Sequence, residues 1–231
     1  MTNTILFDNY KNSSTCQTLW GFSLYLGRYN LLFDTGSNGR VLLQNIKKLN
    51  INIQDIKYLF ITHSHWDHIG GIDSILELNP DITLYLPSSL SKHLIKDLKT
   101  LSKDVVICSK KPQHLFGNLY TTGILGDEMP EQSLIIDEEE TKLISGCGHY
   151  GIHKIVNVAK KIINKDIKFV IGGFHLLRSD NKMIQHTIDE LIKSDVSKVL
   201  PTHCTGDKAI KMFEHTFGKN YIKGGVGTRF I

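Results

Sequence analysis

The sequence predicts a layered α/β fold, and three observations carry that expectation. Apolar strand-like runs alternate with segments of helical period along most of the chain. Several of the strands run straight into a loop that holds a histidine. A length of 231 residues fits one domain or two closely fused halves, and we read 1–231 as a single domain.

Residues 5–8 and 18–27 read as strands, the second because Leu19, Gly21, Ser23 and Tyr25 alternate with Trp20, Phe22, Leu24 and Leu26. A turn at Gly27-Arg28 leads to a partner strand over 29–33. Asp34-Thr35-Gly36-Ser37-Asn38 then supplies turn and cap residues ahead of a helix over 39–49, whose Val41, Leu42, Ile46 and Leu49 share one face. A buried strand over 56–62, a helix over 69–79, a strand over 82–86, a helix over 89–101 after Pro87 and a strand over 105–108 follow.

Between 113 and 137 the spacing shortens. Residues 115–122 and 133–136 read as hairpin-like elements around a polar loop at 123–131, of the kind that shapes a pocket. A short strand over 141–145 ends in Gly146-Cys147-Gly148-His149-Tyr150-Gly151. The chain continues with a helix over 152–163, a strand over 168–171, a helix over 181–193 and a strand over 198–200. Two of its loops are Gly172-Gly173-Phe174-His175 and Pro201-Thr202-His203-Cys204-Thr205-Gly206, so the order strand, ligand, helix recurs. Gly224-Gly225-Val226-Gly227 does not lead from a strand into a helix, which argues against a dinucleotide fingerprint.

The totals exclude several classes. A net charge of +4 is mild, and the lysines between 92 and 111 lack interleaved aromatic residues, so they read as a solvated face and not a nucleic-acid footprint. No stretch of about 18 apolar residues is present, and Met1-Thr2-Asn3-Thr4-Ile5 lacks the layout of a secretion signal, so the expected compartment is the cytoplasm, with no membrane partner. Cys16, Cys108, Cys147 and Cys204 are scattered without Cys-x-x-Cys, which fits reduced thiols.

The chemistry concentrates at 59–71, where an apolar strand runs into His63, His65, Asp67 and His68 and then into Gly70-Gly71. Alternate residues of an extended segment point the same way, so His63, His65 and Asp67 can converge while a turn at Asp67-His68 redirects the fourth ligand. Imidazole mixed with carboxylate suits zinc, manganese or iron and argues against an all-thiolate structural zinc. His149, His175 and His203 share the local setting of His63. His93, His114, His186 and His215 lie in polar segments, and His153 is set aside as a supporting or surface group. Cys147 and Cys204 lie close to His149 and His203, which suggests thiol ligands or nucleophiles, but we read them as small buried residues in tight turns. Thr202 and Thr205, ahead of the next helix, are expected to meet a phosphate.

His-x-His-x-Asp-His followed by Gly-Gly resembles the signature of the metallo-β-lactamase superfamily. The resemblance implies a four-layer αββα sandwich of two mixed β-sheets flanked by helices. It also implies two divalent metal ions, zinc foremost, with manganese or iron as alternatives. His63 and His65 would bind one ion with His149 as its third ligand, and Asp67 and His68 the other with His203. Asp34, in Asp34-Thr35-Gly36, would support the ligands from behind. One departure stands out: the aspartate that bridges both metals belongs at the end of the strand that here leads into Gly172-Gly173-Phe174-His175, where no carboxylate occurs. His175 would coordinate one metal, or hydrogen-bond substrate while water bridges the ions. The motifs at 146–152, 172–176, 201–206 and 224–227 are similar to a subgroup that includes a pterin-forming enzyme of methanopterin biosynthesis, although most members are described only as metal-dependent hydrolases.

The expected function is therefore a metal-dependent hydrolase that turns an activated water on an ester, phosphoester or similar polar bond of a small, phosphorylated molecule. Two metals can lower the pKa of a bound water toward about 7, which removes the need for a side-chain nucleophile. Asp67 and His175 are the expected catalytic residues, and His175, Thr202 and Thr205 the expected substrate contacts. The first alternative is a pterin-related transferase that joins a dihydropterin to a ribofuranosylaminobenzene phosphate and releases pyrophosphate. The second is a non-catalytic metal-binding module, disfavoured because the ligand set leaves coordination positions open. A di-iron redox protein of the same fold would resemble His-x-Glu-x-Asp, and position 65 is histidine.

Overall fold

The computed structural model describes residues 2–231. It divides into two compact units, one that runs to Cys108 and takes back Gly224–Ile231, the other Ser109–Lys223.

The first unit is a seven-stranded mixed sheet. β1 (Asn3–Phe7), β2 (Ser23–Leu26) and β3 (Leu31–Phe33) pair antiparallel, then β4 (Tyr58–Phe60), β5 (Thr83–Pro87) and β6 (Asp104–Cys108) continue in parallel. A short strand, Arg229–Phe230, closes the other edge by pairing Phe230 with Asn3. Helix α1 (Gly39–Lys48) starts where the Asn38 side chain accepts the Val41 N–H, and it buries Val41, Leu42 and Ile46. Burial of each such side chain stabilises the fold by about 1.5–3 kcal/mol. Its buried Asn45 is satisfied by donating to the carbonyls of Leu6 and Gln17, which ties the helix to β1 and to the loop after it. Helix α2 (Trp66–Ile69), α3 (Ile72–Leu78) and α4 (Lys92–Leu101, capped by Ser91) complete the unit.

Two expectations change here. The strand expected over 18–27 shortens to β2, because Gly21 has φ +142° and a side chain there would stand 2.6 Å from the Asp67 carbonyl. The segment braces the histidine loop instead of extending the sheet, and Phe22 N–H donates to Asp67 O. The helix expected over 69–79 begins only at Ile72, as α3, because Gly70-Gly71 separate it from the short α2. Side chains at these two positions would stand 2.5 Å from Ser37 O and 2.6 Å from Thr35 O, so the glycine pair lets this turn rest on the backbone after β3.

The second unit is a six-stranded mixed sheet. β7 (Gln113–Phe116), β8 (Leu119–Thr121), β9 (Leu134–Ile136) and β10 (Lys142–Ser145) pair antiparallel; β10, β11 (Phe169–Gly173) and β12 (Lys198–Thr202) pair parallel. The element expected over 115–122 is two strands that turn at Gly117, φ +51°. Helices α5 (Ile152–Ile163) and α6 (Asn181–Lys193) have the expected bounds, and α7 (Asp207–Phe217) sets Phe213 edge-on to Phe174 with centroids 5.3 Å apart. The core of this unit gathers Ile135, Leu143, Val170 and Val199 from the strands with Ile155, Ile188 and Phe213 from the helices. Each sheet is thus mixed and flanked by helices. All four cysteines are buried and free of disulfides, and no helix among the described residues is long and apolar enough to cross a membrane.

Candidate metal centre

In the first unit, parallel pairing of β3 and β4 delivers Asp34 and Thr62-His63 to the same end of the sheet. Asp34 is fully buried, with left-handed backbone at φ +51°. Its Oδ1 accepts the Thr62 N–H at 2.9 Å, and its Oδ2 accepts the Thr62 hydroxyl at 2.8 Å and His68 Nδ1 at 2.7 Å. The Thr62 hydroxyl has one proton and gives it to Asp34, so His63 Nδ1, 2.8 Å away, must be the donor in their contact. The network therefore selects the Nδ1–H tautomer in neutral His63 and His68 and leaves the lone pair on Nε2 of each.

Those lone pairs meet further donors. His63 Nε2 lies 3.0 Å from His65 Nδ1, so both nitrogens can sit about 2.0–2.1 Å from one point, an ordinary zinc–nitrogen distance. His68 Nε2 lies 3.7 Å from Asp67 Oδ2. Buried carboxylate support behind neutral imidazoles, with a second carboxylate in front, is a donor set that fits divalent cations. The path differs from the expected one in one respect. Asp67 does not continue an extended run, because the chain turns into α2 after His65, and Asp67 and His68 both lie on that helical turn.

In the second unit, β10, β11 and β12 lie in parallel register, so the loops that carry His149, His175 and His203 leave the same end of the sheet. Gly172 has φ +111°, and a side chain there would stand 2.0 Å from Ser145 O. Gly172→Ala is expected to push β11 off β10 and cost more than about 1–3 kcal/mol, read as a lower urea midpoint; an unchanged midpoint would contradict this packing. His175 is exposed and has φ +52°, with its ring centroid 4.3 Å from that of His149. His203, also at φ +52°, is fully buried, and its Nε2 lies 3.5 Å from Cys147 Sγ.

Glu131, 2% exposed, was not legible as a site residue, yet it shapes the His149 loop. Its Oε1 accepts the N–H groups of Cys147 (2.8 Å) and Gly148 (3.1 Å), and its Oε2 that of His149 (2.9 Å). A carboxylate two polar residues ahead of the apolar strand β9 was the available signal. Thr62 was missed in the same way, hidden between an apolar run and the first histidine.

Thr202 and Thr205 are fully buried. The Thr205 hydroxyl donates to Thr202 O at 2.7 Å and accepts the Phe174 N–H at 3.0 Å, so it joins the His203 loop to the His175 loop. The substrate contacts expected of this pair do not fit that burial. Cys147 and Cys204 do more than fill turns, since Cys204 Sγ donates to Cys147 O at 3.4 Å and shares hydrogen bonds with Cys147 and His175. Burial raises the Cys204 pKa, but these bonds and the imidazole of His203 outweigh it and hold the thiol well below its ordinary range. The bond to Cys204 in turn raises the His175 pKa, against the lowering effect of burial. A pocket of about 610 Å³ opens beside this cluster, lined by residues 126–129 of the loop between β8 and β9 and by His149, Tyr150, Lys154 and His175.

The metallo-beta-lactamase superfamily profile matches residues 23–203. A 7,8-dihydropterin-6-methyl-4-(beta-D-ribofuranosyl)-aminobenzene-5'-phosphate synthase from Methanocaldococcus jannaschii is 32% identical over 238 residues, which cover 83% of this chain and 80% of its own. Among solved structures, a metal-dependent hydrolase of the beta-lactamase superfamily is 25% identical, with TM-score 0.83 over 100% of this chain and 98% of its own. The short form of human tRNase Z shares the fold at TM-score 0.65 and 14% identity, over 100% of this chain and 99% of its own.

Proposed function

The chain belongs to the metallo-beta-lactamase superfamily, and on that premise we propose that it is a metal-dependent hydrolase of an ester, phosphoester or similar polar bond in a small molecule. The observation that supports this reading is the Asp34-Thr62 network, which holds His63 and His68 as Nδ1–H tautomers and turns each Nε2 lone pair toward a prospective cation. Two divalent ions, zinc foremost, would be held by His63, His65 and His149 and by Asp67, His68 and His203, with residues 1–231 acting as one functional domain. When bound, such ions acidify a water and polarise the bond under attack. In this reading Asp67 accepts a proton on the 63–68 segment, and His175, exposed beside His149 in the pocket, hydrogen-bonds substrate. Lys154 on the pocket wall favours an anionic, phosphorylated substrate.

Elemental analysis combined with a panel of phosphodiesters, phosphomonoesters and lactones tests the proposal. His63→Ala is expected to lose the metal held by the 63–68 histidines and turnover together while the far-ultraviolet dichroism stays that of the wild type. Full turnover by that variant would contradict the assignment.

A second reading, a pterin-related transferase, is favoured by the 32% identity to the synthase from Methanocaldococcus jannaschii. Incubation with a dihydropterin pyrophosphate and a ribofuranosylaminobenzene phosphate separates the two. A joined product with released pyrophosphate supports transfer, and hydrolysis of the pyrophosphate without joining supports the first reading.

A further inference from the structure

We infer that Cys147, Cys204 and His175 form a thiolate-containing site for a borderline-soft divalent cation such as zinc, apart from the six ligands proposed above. The three side chains come from the loops after β10, β12 and β11, and their donor atoms all lie within 4.8 Å of one another. Donors around a tetrahedral zinc stand roughly 3.3–3.8 Å apart, given zinc–sulfur and zinc–nitrogen bonds of about 2.3 and 2.0–2.1 Å. The cluster therefore needs to contract by no more than about 1.5 Å to close on an ion, a movement within the reach of strand-end loops.

The neighbourhood is shaped for these groups. Any side chain at position 173 would stand 2.7 Å from Cys204 Sγ, so Gly173 leaves the thiol its space. Cys147 and Cys204 are 3% and 5% exposed, whereas His175 is open to solvent, which gives a closed base and an accessible mouth. Two sulfurs and an imidazole are the donors that zinc takes from proteins, and three protein ligands leave a fourth position vacant. Each cysteine coordinates as the thiolate and gives its proton to solvent. His175 has two ring nitrogens, so one can face the sulfurs while the other keeps its place on the pocket wall. The site also supplies donors beyond the strand end where the bridging carboxylate is missing.

Cobalt(II) titration of the reduced full-length chain tests the inference, because a thiolate ligand adds an intense sulfur-to-cobalt charge-transfer band in the near ultraviolet that histidine and carboxylate ligands do not. The wild type is expected to show the band. Cys147→Ser and Cys204→Ser should each halve it, and the double variant should lose it. His175→Ala, at an exposed position, keeps the fold and should weaken cobalt binding at the band by tenfold or more. His63→Ala should leave the band intact. No band in the wild type, a band that survives the double cysteine variant, or a band that disappears in His63→Ala would each overturn the inference. Absence of hydrolysis across the substrate panel with the band present would instead count against the hydrolase reading alone.

Discussion

Asp34→Ala is expected to lower metal affinity by on the order of 10–100-fold and to destabilise the fold by on the order of 3–5 kcal/mol. The substitution leaves the Thr62 N–H, the Thr62 hydroxyl and His68 Nδ1 without their acceptor in a fully buried place. It also frees the Thr62 proton, which can then turn toward His63 Nδ1 and undo the tautomer that exposes the Nε2 lone pair. Competition with a chromophoric zinc chelator reads the first effect and a urea melt the second. Asp34→Asn keeps the shape but places an amide donor among donors, so it should fall between wild type and alanine. Wild-type zinc affinity in a folded Asp34→Ala protein would show that the network does not orient the ligands.

Glu131→Ala is expected to open the His149 loop. Three backbone N–H groups lose their acceptor, and at about 1–3 kcal/mol for each unsatisfied buried donor, the loop can recover part of the cost only by moving toward water. Amide hydrogen exchange at Cys147, Gly148 and His149 should accelerate by orders of magnitude while the amides of β11 stay protected. Glu131→Gln retains one acceptor oxygen and should restore part of the protection. Unchanged exchange at those three amides in the alanine variant would mean that Glu131 is incidental to the loop.

Glu131 marks where reading the sequence reaches its limit. Local order was legible wherever one element carries its own signal. The apolar period and flanking turn residues of α5 and α6 place both helices at their observed bounds, and four potential ligands within 63–68 stand out as a candidate metal site unaided. The same local logic failed at 18–22, where the alternation is that of a strand but the Asp67 backbone occupies the space a ladder would need. Glu131 acts on residues 16 to 18 positions away, and Cys147 meets Cys204 only because parallel pairing brings β10 and β12 to either side of β11. Nothing in the local composition encodes such distant partnerships. Thr205 shows the converse error: a hydroxyl near a helix start looks like an anion contact until both its bonds are found inside the protein.

The pairing of Asn3 with Phe230 bears on how the protein is made. The β1 edge gains its outer partner only after almost all of this sequence has left the ribosome, whereas Ser109–Lys223 is one uninterrupted stretch whose strands wait for no such distant partner. During translation the unfinished edge offers a row of unpaired amides and carbonyls to other nascent chains. Loss of the Arg229–Phe230 strand would make that vulnerable interval permanent, turning a brief hazard of synthesis into a lasting tendency to aggregate.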